Sequence, residues 1–573
     1  MKKDAIKQLI DVAAARGEPD LVIKSAQIVD VFSGKILEGD VAIIDGRIAG
    51  IGSYSGKKTF DAKGAFLLPG FIDGHVHIES SYTDPPSFAR LLLPCGTTTV
   101  IADPHEICNV SGLDGFDYMV ESSLSLPLSI FFMLPSCVPS SPFENSGAVL
   151  LADSLAKRMD LPQVLGLGEM MDMEGTIGAD PAVVDKLALA KKWRKLIDGH
   201  APGVHGHNLN AYAAAGIHTD HECTTPSELQ ERIERGMYVL LREGSATRDL
   251  LNLLPGVTPA NAHMCLFCTD DRQPQSILEE GHLDNHLRLA VDFGLDPIIA
   301  IRMATLHAAN CYGLHDRGAI APGRRADLVL VNNLKEFAVQ NVFVAGQLYK
   351  EEQSFKPTPI PSKVATKIVL DDFHRDRFKL RLTSPQVRVI EIIAGAVVTN
   401  MAKKEVLLDN KGYYRHDPSQ DILKLAVVER HKGTGNVALA LITGYGLKHG
   451  AVATTIAHDA HNIIVAGDND ADMAAAVESL VTLGGGIVMV RDGELLDSLA
   501  LPIAGLMTNK GALYVNEKLK NMHQIALEEL GIPENIDPFM TLSFMALPVI
   551  PHLKVTDMGL FDVDSFSFVS LEL

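Results

Sequence analysis

His75 and His77 stand one residue apart at the end of an apolar run, Gly70-Phe71-Ile72-Asp73-Gly74-His75-Val76-His77. Side chains alternate faces along a strand, so histidines at this spacing point the same way. Two imidazoles leaving one strand end together can hold one metal ion, although a lone His-x-His is also an ordinary core feature. Further along, other apolar runs close on polar residues near Asp103/His105, Ser136, Glu169, His200, Asp220/His221, Arg242/Glu243 and Asp270. Imidazole and carboxylate ligands suit Zn, Mn or Fe(II), and one carboxylate can bridge two ions. Such ions lower the pKa of bound water from ~15.7 to about 7, so hydrolysis is the natural reaction class.

These groups can act together only if the strands that carry them converge. Residues 65–319 hold eight apolar, β-rich runs, and most intervals leave room for a helix, as at Pro181–Arg194 and Thr225–Arg235. Eight strand–helix units in about 250 residues fit an α/β fold of the (β/α)8 TIM-barrel type, whose strand C-terminal ends share one mouth. The flanks are different in character. Leu21-Val22-Ile23, Asp40-Val41-Ala42-Ile43-Ile44 and the Asp45-Gly46 turn precede the barrel, and Asp327–Val331 and Val342–Gly346 follow it. Residues 1–64 and 320–370 are therefore expected to form one small β-sandwich domain around the barrel. Lys356-Pro357-Thr358-Pro359-Ile360-Pro361 is a linker signal, and residues 375–573 are expected to form an additional α+β domain. That domain is long enough for its own core, and it is expected to cover the barrel mouth or build an interface.

Composition narrows the function. Of 573 residues, 47% are hydrophobic and 21% charged, which describes a globular protein. With 51 basic and 71 acidic residues the net charge is −20, which disfavours a nucleic-acid partner. Lys191, Lys192, Arg194 and Lys195 form the best basic cluster, and helix solvation explains it. No apolar h-region or membrane span is evident, and seven cysteines, an odd and sparse count, suit a reducing, cytoplasmic compartment.

Specific segments carry a resemblance. Gly74–Ser81, Asp103-Pro104-His105-Glu106, Gly168-Glu169-Met170-Met171, Arg242-Glu243-Gly244-Ser245, Cys268-Thr269-Asp270-Asp271, Thr443-Gly444-Tyr445-Gly446 and Ala457-His458-Asp459-Ala460-His461-Asn462 resemble the adenine deaminase family of the amidohydrolase superfamily. The resemblance spans almost the whole chain. It implies adenine as small-molecule substrate, hypoxanthine and ammonia as products, purine salvage, and two divalent ions, Mn(II) or Fe(II) favoured and Zn(II) possible. Carried over, the ligands are His75, His77, Glu169, His200, His221 and Asp270, with Glu169 in the bridging place where many relatives of the superfamily carry a carboxylated lysine. Asp270 is expected to move the proton of the attacking water towards the leaving ammonia. Glu106 and His105 are the candidates for protonating a ring nitrogen or touching substrate, and Arg242, Glu243 and Ser245 for reading the purine edge. A homo-oligomer, taken as a dimer, is expected.

Several residues admit two readings. His218 and Asp220 compete with His221, and Asp271 with Asp270; the family pattern favours His221 and Asp270. His458, Asp459 and His461 read as a polar loop near the barrel mouth or as an extra metal site. His282 and His286 read as a solvated helix face, and Met170, Met171 and Met173 as purine-pocket lining or packing. Cys265 and Cys268 read as core residues rather than half of a cytidine-type zinc site. Gly433-Thr434-Gly435 reads as a turn, not a dinucleotide fingerprint. The alternatives to adenine hydrolysis are a superfamily hydrolase of another aminopurine or cyclic amide and, more remotely, a barrel that has lost catalysis and serves as a scaffold.

Overall fold

The structure is a computed structural model that describes residues 2–351, 355 and 357–573, so Lys356 of the linker signal lies outside the described residues. Its centre is a (β/α)8 barrel. The strands are Phe71–Val76, Thr97–Ala102, Ser129–Leu134, Val164–Met170, Leu196–Gly199, Thr219–Asp220, Tyr238–Arg242 and Cys265–Cys268. Every hydrogen-bonded neighbour pair is parallel, and the residues of these strands are buried almost throughout, as expected where helices cover the outer face. The first and last strands close the ring through the backbone, Asp270 N–H donating to the His75 carbonyl at 3.0 Å. His218 N–H, donating to the Ile197 carbonyl at 2.9 Å, joins the fifth strand to the sixth.

Local chemistry sets the helices between these strands. Pro181–Trp193 begins with proline in the first turn and an Asp180 cap that accepts from Ala182 and Val183 N–H. It ends at Arg194 in the left-handed region. Pro226–Ile233 opens on a reciprocal Thr225–Glu228 capping box.

The two flanks of the barrel meet in one eight-stranded sheet. Leu328–Val331, from beyond the barrel, pairs antiparallel with Phe66–Pro69, the strand that leads directly into it. The Asp45-Gly46 turn joins Lys35–Ile44 to Arg47–Gly52, with Ile44 opposite Arg47. Residues beyond 375 build a second eight-stranded sheet, from Gln386–Ile392 to Glu494–Ala500, with helix Asp470–Leu483 packed on it. Gly433 and Gly435 both have positive φ and lead into strand Val437–Thr443, so this segment is a turn before a strand.

The C-terminal domain lies on the barrel mouth. Asn145 N–H donates to Asp557 Oδ1 at 2.8 Å, Thr556 Oγ1 to the Phe143 carbonyl at 2.7 Å, and Asn462 Nδ2 to the Asn145 carbonyl at 2.8 Å. One expectation is corrected here. His282 and His286 are fully buried, not solvated, because helix Leu283–Phe293 turns this face onto the barrel. Thr97 Oγ1 lies 2.9 Å from His282 Nδ1, and His286 Nε2 lies 2.9 Å from the Cys268 carbonyl oxygen. All seven cysteines are free thiols, six of them buried, and Cys265 and Cys268 sit inside the last barrel strand.

Candidate metal centre

Six strand-end side chains converge at the C-terminal mouth of the barrel. His75 Nε2 and His77 Nε2 lie 3.1 Å apart. Two ring nitrogens this close can both turn their lone pairs to one ion when each ring carries its proton on Nδ1. His77 Nδ1 lies 2.9 Å from the Asp103 carbonyl oxygen, which places its proton on Nδ1 and leaves the Nε2 lone pair facing the centre.

Glu169 sits between two imidazole pairs. Its Oε1 is 3.5 Å from His75 Nε2 and 3.3 Å from His77 Nε2, while Oε2 is 2.9 Å from His200 Nδ1 and 3.4 Å from His221 Nε2. One oxygen faces each pair, which is the arrangement of a bridging carboxylate. The position is built from below: Glu169 N–H donates to Asp103 Oδ2 at 2.8 Å. Only glycine at 168 permits this, since a Cβ there would lie 2.1 Å from that oxygen.

Asp270 completes the group. Its Oδ1 lies 3.0 Å from His77 Nε2 and 3.8 Å from His75 Nε2, and its Oδ2 accepts from Arg242 Nη1 at 2.9 Å. Asp270 takes a positive φ of 57° and itself forms the strand-closing bridge, with Val76. Burial alone would raise its carboxyl pKa, but His77 and Arg242 outweigh it and hold the group well below the usual carboxylate range. Glu169 behaves likewise, burial being outweighed by His200, His221 and His75.

The donor set fits divalent ions. Glu169 Oε1 and His200 Nε2 are buried without a hydrogen-bond partner among the described residues. Orphaned buried polar atoms of this kind are costly unless an ion takes them up. Donor atoms of His75, His77 and Asp270, of His75, Glu169 and His221, and of His77, His105 and Glu169 form groups lying within 4.8 Å.

The competing residues face different partners. His221 faces Glu169, whereas His218 Nε2 turns to the Cys311 carbonyl at 3.3 Å and Asp220 pairs with the fully buried Arg232 at 2.9 Å. Asp270 faces the histidines, and Asp271 instead accepts from Ser80 Oγ. Met171 lines the cavity above the centre, while Met170 and Met173 pack into the core.

Three residues expected to take part in substrate or acid chemistry have partners of their own. Arg242 borders the cavity, and its guanidinium is engaged by Asp270, Glu222 and Asp249 (3.1 Å). Glu243 does not reach the cavity: its carboxylate is 3.5 Å from Arg248, and its carbonyl accepts from Arg272. Glu106 has both oxygens occupied, by His458 Nδ1 at 2.6 Å and by His461 Nε2. Burial would raise its pKa, but His458, His461 and His105 outweigh it and hold it well below the usual range. Glu106 also lines the cavity. Ser245 does line the cavity, and His105 stands between Glu169 (3.4 Å) and Glu106 (3.5 Å).

Sequence reasoning missed Glu222. Its Oε1 is 3.4 Å from His221 Nε2 and 3.6 Å from His200 Nδ1, and it pairs with Arg242. Its position directly after His221 was the available signal. The cavity over the centre measures about 800 Å³, within the range of small-molecule sites. Gly395–Val398, His458, Asp459 and Phe544 of the C-terminal domain form part of its wall.

A parallel barrel with this donor set at its mouth defines a hydrolase of the amidohydrolase class, and residues 66–349 match the Amidohydrolase family. Residues 396–567 match the adenine deaminase C-terminal domain. The chain is 53% identical to adenine deaminase 2 of Desulfotalea psychrophila, with 100% of both chains covered. It is 53% identical to the adenine deaminase of Nitratidesulfovibrio vulgaris strain DP4 (99% of each chain) and 48% identical to that of Ligilactobacillus salivarius (100% of each). The chain belongs to the adenine deaminase family.

Proposed function

We infer that this protein is a metal-dependent aminohydrolase that converts adenine and water to hypoxanthine and ammonia. The observation that carries the reading is the strand-end donor set beneath a C-terminal domain matched along its length to adenine deaminases. His75, His77, Glu169, His200, His221 and Asp270 would hold two divalent ions, with Glu169 between them and Mn(II) or Fe(II) favoured over Zn(II). Bound there, the ions make hydroxide available near neutral pH.

The chain's own groups do the rest. Arg242 fixes Asp270 through Oδ2, leaving Oδ1 on the histidine side to accept a proton from the attacking water and pass it to the departing amine. The C-terminal wall covers one side of the cavity in which the reaction would take place. Ser245, at the cavity edge, is placed to contact the purine. No helix among the described residues is long and apolar enough to cross a membrane. Free thiols throughout suit a cytoplasmic enzyme of purine salvage.

Metal-free protein loaded with Mn(II) or Zn(II) is expected to consume adenine and release equimolar ammonia. Absence of adenine turnover, alongside turnover of another amine or amide, would overturn the substrate.

A further inference from the structure

The C-terminal domain places two imidazoles on one barrel carboxylate. Glu106 Oε1 lies 2.6 Å from His458 Nδ1, and Oε2 is bonded to His461 Nε2. The three groups have metal-ligating chemistry, but their hydrogen bonds assign them another role. Ala457 N–H donates to His461 Nδ1 at 3.2 Å, so the His461 proton sits on Nε2 and is given to Glu106. His461 is thus a neutral donor with no lone pair left for an ion, and it anchors the carboxylate.

His458 is oriented from every side. Its backbone N–H donates to the Ser543 carbonyl at 3.0 Å, and its ring stacks on Phe544 with centroids 4.5 Å apart and planes 17° apart. Nδ1 is committed to Glu106. Among the described residues Nε2 has no hydrogen-bond partner, and it is not one of the sealed, unpartnered polar atoms. The side chain lines the cavity that also contains His77, Glu169 and Asp270.

We propose that His458 is the group that donates a hydrogen bond to a ring nitrogen of the aminopurine and gives it a proton as C6 becomes tetrahedral, with Glu106 and His461 as its positioning residues. The proposal rests on the adenine reading above. As water oxygen bonds to C6, the C6=N1 electron pair moves to N1, which takes the proton from His458 Nε2. The C6–N bond then breaks, and ammonia leaves with the proton that Asp270 collected from the water. The hydroxyl proton released as the C6 carbonyl forms balances the one His458 gave.

The surrounding charges favour a proton-bearing imidazole. Glu106, Asp459, Asp271 and Glu79 face this corner with negative charge when ionised, against His105 and His461. Burial lowers the His458 pKa, but Glu106 with Asp271 and Asp459 outweighs it and raises it to about 9. His461 goes the other way, burial taking it to about 4, in keeping with its neutral tautomer.

The test is steady-state kinetics of the metal-loaded full chain with adenine, for wild type, His458→Gln and Glu106→Gln, with bound metal measured for each. Glutamine can hydrogen-bond but cannot deliver a proton. His458→Gln is expected to lose about 10²- to 10⁴-fold in kcat with KM changed less than about threefold and metal content unaltered. Glu106→Gln is expected to move the basic limb of the kcat–pH profile to lower pH, which a purely structural role would not do. A His458→Gln kcat within threefold of wild type overturns the proposal alone; a wild type that does not deaminate adenine overturns the substrate reading and the proposal with it. Should His458→Gln fail to fold, the wild-type profile decides: kcat falling above about pH 9 supports the proposal, and a profile flat to pH 10 overturns it.

Discussion

His458 Nδ1 lies 2.6 Å from Glu106 Oε1, although 352 positions separate the two residues. One belongs to the C-terminal domain and the other follows the second barrel strand, so the wall of the reaction cavity is shared between domains. The ring of Phe544 backs His458 across the same cavity. Phe544→Ala removes this stacking surface and is expected to raise KM for adenine about tenfold while leaving bound metal unchanged. A KM equal to that of wild type would show that Phe544 does not shape the substrate site.

The two oxygens of Glu169 face different imidazole pairs. Metal titration of the stripped protein is expected to saturate at two ions per chain, and Glu169→Ala at one or none. The variant is expected to lose at least about 100-fold in kcat. Saturation of wild type at a single ion would remove the bridging role.

Gly168 is expected to be intolerant of even a methyl group. Gly168→Ala puts a Cβ 2.1 Å from Asp103 Oδ2, the oxygen that accepts from Glu169 N–H, so the carboxylate or the strand must move. Metal affinity is expected to fall about 10- to 100-fold, as when outer partners of metal ligands are disturbed. Competition with a chelator reads this out, and an unchanged dissociation constant would refute it.

Lys554 ties the cavity wall together, donating from Nζ to the Val397 carbonyl at 2.8 Å and the Phe544 carbonyl at 3.1 Å. Burial pushes its pKa down from 10.5 to about 7. Between those values the unfolded chain holds a proton that the folded chain lacks, so stability from this site rises with pH at about 1.4 kcal/mol per unit. It is complete above the unfolded value and is lost as pH falls towards the folded one. The unfolding free energy of wild type minus that of Lys554→Met, from urea titrations, is therefore expected to grow by roughly 2–3 kcal/mol from pH 7.5 to 9.5. A difference that stays constant would place the Lys554 proton elsewhere.

What the sequence determined by itself was the barrel and the donor types. Strands buried on both faces must be almost continuously apolar, so a His, Glu or Asp that ends such a run stands out, as His75, Glu169, His200 and Asp270 do. Other features depend on which side of an element meets the core, and spacing does not carry that. His282 and His286 share a helix face by periodicity, but only the docking of that helix on the barrel turns the face inward. His218, Asp220 and His221 follow one another too closely for alternation to choose the one facing Glu169. Glu222 resembles any loop acid until Arg242 folds against it, and Glu106 resembles an available acid until His458 and His461 occupy both its oxygens. These pairings join residues distant along the chain. A polar side chain's role is set by the partners that satisfy it when buried, and tertiary packing alone supplies those partners.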